Sequence, residues 1–301
     1  MERNDSRGDA MNSCLKYLLA GLLALLTQAA FAQATDLGAA SDFAVLSAAP
    51  DHGGAVTCTR SSIDGDVGSS GFEASVTQTI CTITGTVIAP VSANVVKDFN
   101  DAYDALAGQS CDSVLTGTLA GVTLTPGTYC FDAAATLTGT LTLVGSSTDT
   151  WLFKIGTLAP GALTGTNFSV AMEGGAEACN VTWWVDAAAT MTDSEFKGTI
   201  LAGAAITMTG TAPGTPAEGR ALAKAAVTLT DVAFLGCEAG GRGGKSQSKC
   251  NQGVGNGPEN CDPGNSNQDG HGSNPFVGSP RTNDELGGTP GNPGRQGGNN
   301  K

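Results

Sequence analysis

Four short runs share one pattern: Thr136-Leu-Thr138, Thr190-Met-Thr192, Thr207-Met-Thr209 and Thr228-Leu-Thr230. In an extended strand successive side chains point to opposite faces. Both threonines of each run therefore share a face, and Leu or Met points the other way. The apolar residue belongs in an interior, which turns the threonines to water. Strands lie about 4.8 Å apart and alternate residues about 6.6 Å apart along a strand, so stacking the runs gives a flat lattice of paired hydroxyl and methyl groups. Such a lattice contains no acid–base pair and no base to activate a hydroxyl as a nucleophile. It offers many weak contacts acting together. Thr suits any exposed β-face, but that preference alone does not account for two ranks returning across four runs.

Other residue types carry less. Asp186, Asp193 and Glu195 supply carboxylates of the kind a solenoid glycosidase would pair across a groove, yet they sit beside turns with no repeated aromatic platform. Asp51-His52 has no identifiable nucleophile to activate and reads as a loop. Asn265-Ser-Asn267-Gln-Asp269-Gly270 lacks the leading Asp of a calcium loop, and Phe276 stands where the bidentate Glu is needed. No Cys-x-x-Cys occurs, and the two histidines are His52 and His271, a poor set for zinc. No catalytic residue, metal or cofactor is expected.

The elements that position the threonines follow from internal repetition. Gly198-Thr-Ile-Leu-Ala-Gly-Ala-Ala-Ile-Thr207 returns 21 residues later as Gly219-Arg-Ala-Leu-Ala-Lys-Ala-Ala-Val-Thr228, and Asp186-Ala-Ala-Ala-Thr190 matches Asp132-Ala-Ala-Ala-Thr136. Gly161-Ala-Leu-Thr164-Gly-Thr166 is a weaker copy. A period near twenty residues, built from alternating runs and glycine turns, predicts a β-solenoid. One stretch departs from it. Val95, Val96, Phe99, Tyr103 and Leu106 have helical spacing between Ser92, a plausible N-cap, and Gly108, a C-terminal stop. This helix is expected to lie along the solenoid and cover an apolar flank.

Composition divides the chain into three. Arg3, Arg7 and Lys16 precede the apolar run Tyr17–Leu26, with Ala30-Phe-Ala32 behind it, which reads as a signal peptide (1–32) cut after Ala32. That run is too short to span a bilayer comfortably. Residues 33–237 are rich in Ala, Thr, Val and Leu and form the expected folded domain. Residues 238–301 are dominated by Gly, Asn, Pro and Ser, cannot bury enough apolar surface to offset chain entropy, and are expected to be disordered. Eight cysteines remain after the signal, an even number in an exported chain, which argues for disulfides. Sequential pairing (58–81, 111–130, 179–237 and 250–261) is one of many possible connectivities. Between 33 and 237 there are 19 acidic and 6 basic residues, so this segment holds the whole net charge of −13. Such a surface repels a phosphate backbone, and no nucleic-acid partner is expected.

These residues resemble a known family, the secreted microbial ice-binding proteins. The resemblance begins at Leu37-Gly38 and Ser41-Asp-Phe-Ala-Val-Leu46 and continues through Ile63-Asp-Gly65-Asp66-Val-Gly68 and Ala102-Tyr103 to Gly108. It is strongest in Leu124-Thr-Pro126-Gly127-Thr-Tyr129, Ser147-Thr-Asp-Thr-Trp151-Leu-Phe153, Gly174-Gly-Ala176 with Cys179-Asn-Val-Thr-Trp183, and Gly219-Arg220-Ala-Leu-Ala. The blocks keep family order across about 37–237. The resemblance implies a mainly β fold: a discontinuous right-handed β-solenoid with three faces per coil, one long α-helix alongside, and a first coil tucked beside the last ones. It also implies a flat ice-binding face, for which Thr-Gly-x-Asn motifs have been noted.

Carried over, the resemblance adds Thr164, Thr166 and Asn167 of Thr164-Gly-Thr-Asn167, Asp149 of the Trp151 block, and Ser47 after the Phe43 block. It also reinforces Thr190 and Thr207. Alternation supplies Thr136, Thr138, Thr192, Thr209, Thr228 and Thr230. Ala159-Pro-Gly161 and Thr211 to Pro216 look like insertions that roughen the surface. The expected function is extracellular ice binding of the antifreeze, recrystallisation-inhibiting kind. Ice is the expected partner, with no membrane insertion of the mature form, and a monomer is expected. Fold alone does not settle function. The alternative is a non-catalytic cell-surface or matrix protein tethered by its glycine-rich tail.

Overall fold

The alternating runs fold as parallel strands. The computed structural model describes residues 35–237; the expected signal peptide, the expected tail and the Cys250–Cys261 pair lie outside the described residues. In chain order the strands are β1 (Phe43–Ser47), β2 (Val56–Thr59), β3 (Ser62–Asp64), β4 (Asp66–Ser69), β5 (Val76–Thr79), β6 (Thr82–Ile83) and β7 (Val87–Ile88). Helix α1 (Ala93–Ala107) follows, one residue after Ser92 and one before Gly108. Then come β8 (Ser113–Val114), β9 (Thr123–Leu124), β10 (Gly127–Phe131), β11 (Ala135–Val144), β12 (Trp151–Ile155), β13 (Leu163–Glu173) and β14 (Val181–Val185). The last are β15 (Ala189–Thr192), β16 (Lys197–Ala202), β17 (Ile206–Thr209), β18 (Thr215–Ala223), β19 (Val227–Thr230) and β20 (Val232–Gly236).

Two parallel sheets wind round one interior. The first runs β9-β11-β13-β15-β17-β19-β2-β5. The second runs β8-β10-β12-β14-β16-β18 and forks there: one half of β18 pairs β20, leading to β3 and β6, and the other half pairs β1, leading to β4 and β7. Strands encoded first in the chain therefore stack beyond strands encoded last, which is the discontinuity expected of the solenoid. At the fork the chain turns a tight corner. Gly219 has φ +141°, and a Cβ there would meet the Gly198 carbonyl oxygen at 1.9 Å. Gly198, Gly219 and Gly236 are register partners, so this corner repeats from coil to coil.

The interior is filled by alternate residues of both sheets. Tyr129, Phe153 and Trp183 are register partners on β10, β12 and β14 and stack with ring centroids 5.6 and 4.0 Å apart. A second apolar layer lies outside the forked sheet, where Leu46, Leu152, Trp184, Leu201 and Leu222 pack against Val95, Phe99, Ala102, Tyr103 and Leu106 of α1. This explains why β12 and β14 are buried on both faces and read as continuous apolar runs. Ser92 occupies the N-cap position without a side-chain cap bond. The C-terminal end of α1 is held by a residue that carried no signal in the sequence: Lys154 of β12 is 4 % exposed and donates to the Ala107 and Gln109 carbonyls at 2.9 and 2.5 Å. A cation there complements the negative end of the helix dipole.

Tyr103 fixes the helix from its middle, donating to the Val185 carbonyl at 3.1 Å. Burial, then the nearby Asp186 and Asp104 carboxylates, pushes its phenol well above the ordinary value. The sign follows from linkage. The stabilisation is complete below the unfolded phenol pKa of about 10 and is lost as pH rises toward the elevated folded value. Stability measured by denaturant should therefore fall above pH about 10, and Tyr103→Phe should flatten that fall. A wild-type profile flat up to pH about 11 would contradict the assignment.

Cys58–Cys81, Cys111–Cys130 and Cys179–Cys237 are bridged, the sequential pairing. Unfolded, unreduced mature protein should take up no alkylating reagent, read by mass spectrometry. Two labelled cysteines would place Cys250 and Cys261 as free thiols, and labelling at any of the other six would contradict the bridges.

Candidate functional site

The threonines align in register across the first sheet. Thr136, Thr164, Thr190, Thr207 and Thr228 are successive partners, and the rank continues without a break into Thr57 and Thr77. A second rank runs Thr166, Thr192, Thr209, Thr230, Thr59 and Thr79. Between them lies the inward column Leu137, Gly165, Met191, Met208, Leu229, Cys58 and Gln78. Its members from Leu137 to Cys58 are buried while the flanking threonines are exposed or half-exposed. Gly165 leaves a gap that Met191 of the next coil fills, since a Cβ there would meet the Met191 Sδ at 2.5 Å. At about 4.8 Å per coil the first rank is about 29 Å long.

Thr57, Thr59, Thr77 and Thr79 were not singled out in the sequence. Their runs, Thr57-Cys-Thr59 and Thr77-Gln-Thr79, keep the spacing but not the aliphatic centre. Cys58 is nevertheless 0 % exposed and fills the interior as Leu and Met do. Gln78 is tolerated because β5 is the edge strand, and among the described residues no strand pairs beyond it.

Of the other expected residues, Thr138 faces a bulge: between the pairs Leu137–Gly165 and Gly139–Phe168 it stands opposite both Thr166 and Asn167. Asn167 is exposed at the rim and has φ +47°. It belongs to a row of left-handed residues that follow the second threonine rank: Asp193 (φ 47°), Asp231 (φ 54°), Arg60 (φ 46°) and Ile80 (φ 54°). Asn and Asp tolerate this conformation better than other residues, so the Asn of the Thr164 motif turns the chain out of the face. A Thr-x-Thr-Asn/Asp pattern was the available signal.

Two expected residues leave the face altogether. Ser47 is 0 % exposed on β1, a strand of the other sheet, donates to the Ala225 carbonyl at 2.7 Å and accepts from the Ala55 amide at 3.0 Å. A hydroxyl spent on two internal bonds and closed to solvent cannot contact an external surface. Asp149 caps the turn between β11 and β12, accepting from the Ser146 amide and hydroxyl at 2.7 and 2.9 Å. The two insertions lie outside the threonine sheet, one before β13 and one running from the corner after β17 into the first two residues of β18. The Thr211 hydroxyl donates to the Asp193 carboxylate at 2.9 Å, and at the corner after the second rank Arg60 pairs with Asp231 at 2.6 Å. Among the described residues no group of three or more His, Cys, Asp or Glu could hold a metal ion, and no helix is long and apolar enough to cross a membrane.

A discontinuous parallel solenoid with a helix along one flank and a two-rank threonine sheet defines the structural class. The ice-binding-like family model matches residues 51–234. The chain belongs to the ice-binding-like family. It is 32% identical over 212 residues to an ice-binding protein of Flavobacterium frigoris, covering 64% of this chain and 73% of the relative. It is 34% identical over 215 residues to the Typhula ishikariensis ice-binding protein K1-A, covering 62% and 85%. The crystal structure of an ice-binding protein from an Antarctic biological consortium superposes with a TM-score of 0.59 at 29% identity, covering 69% of this chain and 94% of that one.

Proposed function

We propose that this chain is an exported protein that adsorbs to ice through the face formed by the two threonine ranks. The observation that carries the reading is the register: thirteen threonines on consecutive coils stand as paired hydroxyl and methyl groups, backed by a filled interior. A rigid backing matters because each contact is weak, and only a surface whose groups are fixed beforehand can make many of them without a large ordering cost. Methyl groups hold neighbouring water in a restricted arrangement while hydroxyls anchor it by hydrogen bonds. No catalytic group takes part. The names of the relatives support ice as the partner, and the signal-like leader supports action outside the cell.

The test uses the mature chain from Gln33 onward. It should shape growing ice crystals, inhibit recrystallisation and partition into a growing ice front. Protein wholly excluded from ice and without effect on crystal shape would sink this reading in favour of the scaffold alternative.

A further inference from the structure

We infer that the Cys58–Cys81 disulfide is a positioning element of the threonine face, holding the terminal coil so that Thr77 and Thr79 extend the array. The inference rests on reading that face as the ice-binding surface.

Packing alone holds this coil poorly. Among the described residues, strand β5 pairs only with β2 and β6 only with β3. In β5, Val76 is half-buried and Gln78 is exposed, where the corresponding positions of inner coils bury Ile206 and Met208 or Val227 and Leu229. Ile80, at the corner, is 82% exposed with φ +54°, a left-handed conformation that is unfavourable for a β-branched residue. Phe72, before the coil, is 71% exposed. Against these weak restraints stands one covalent tie. Cys58 is the interior residue of Thr57-Cys-Thr59, and Cys81 follows directly on Thr79-Ile80. The bridge therefore joins the penultimate face strand to the corner of the last one. A single residue, Cys58, both fills the core beneath the face and fixes the next coil onto it.

The mature chain carrying Cys58→Val and Cys81→Ser together tests this, with Thr77→Tyr on the intact disulfide as its companion. Hydrogen exchange is read at each amide, and thermal hysteresis is measured on the same samples. Exchange across Thr77–Ile83 should accelerate about tenfold or more in the double variant, since an edge segment without its tie opens locally. Amides of β15 and β17 should keep their wild-type rates. Thermal hysteresis should fall to the level of Thr77→Tyr, which loses activity with unchanged exchange. Unchanged exchange at β5 would overturn the inference, because packing would then suffice. Faster exchange in β15 and β17 as well would also overturn it, making the bridge a general staple. Faster exchange at β5 with full activity in both variants would remove the terminal coil from the ice face, leaving the inner ranks to be judged separately at Thr207.

Discussion

Replacing Thr207 by tyrosine is expected to abolish most ice shaping and recrystallisation inhibition while leaving the fold intact. Thr207 is the fourth of seven threonines in the first rank, with Thr190 and Thr228 as its register partners. A phenol there would stand above the plane and hold the flanking coils off a flat surface. Tyr is well accepted in strands, and an outward substitution remote from the core usually changes stability by no more than about 0.5 kcal/mol. Melting temperature should therefore stay near wild type. Asn94→Tyr, on the exposed side of α1, is the control and should retain activity. If wild type is active and Thr207→Tyr equally so, the face has been misassigned.

The second large effect is in the core. Trp183 is 0 % exposed, stacks on Phe153 at 4.0 Å, meets Phe196 at 5.3 Å and donates its indole N–H to the Lys197 carbonyl at 3.1 Å. Trp183→Ala removes the largest ring of that column and leaves a cavity, at a cost of about 3–5 kcal/mol. For a domain of this size the melting temperature should drop by about 10 °C. The neighbouring rings of Phe153, Phe168 and Phe196 come from β12, β13 and the turn before β16, so the packed cluster has little freedom to collapse. A loss below about 1 kcal/mol by urea unfolding would mean that the coils can close over the gap.

The helix and the solenoid were legible in the sequence because each has its own period. Val95, Phe99, Tyr103 and Leu106 could bury together only on a helix, and the repeat near twenty residues could close only as stacked coils. Alternation also told which side of Thr190, Thr207 and Thr228 met water. It did not tell which sheet a strand would join. Ser47 was carried over from the resemblance, but its strand pairs β18 and β4 in the other sheet, and its hydroxyl is spent on the Ala225 carbonyl and the Ala55 amide. The four missed threonines fell below notice because Cys58 and Gln78 do not look like core residues. One became apolar by forming a bridge, and the other needed no core because its coil is last. Lys154 was opaque for a different reason: its partners, Ala107 and Gln109, are carbonyls at the end of a distant helix, and no side-chain pattern marks them.

The discontinuous stacking of the coils also dictates an order of events during synthesis. Strands β1 to β7 leave the ribosome first, yet their inner partners are β18, β19 and β20. Contacts such as the Val232 amide to the Ser61 hydroxyl and the Arg60–Asp231 pair join residues 171 apart. The loop between them must be ordered before either contact can form, and such distant pairings are slow. Until residue 236 emerges, the amino-terminal coils carry an open apolar edge with nothing to stack on. The body from β8 to β20 can wind progressively, each coil templating the next. Folding thus ends where the solenoid begins, when its first strands dock onto its last and complete the lattice.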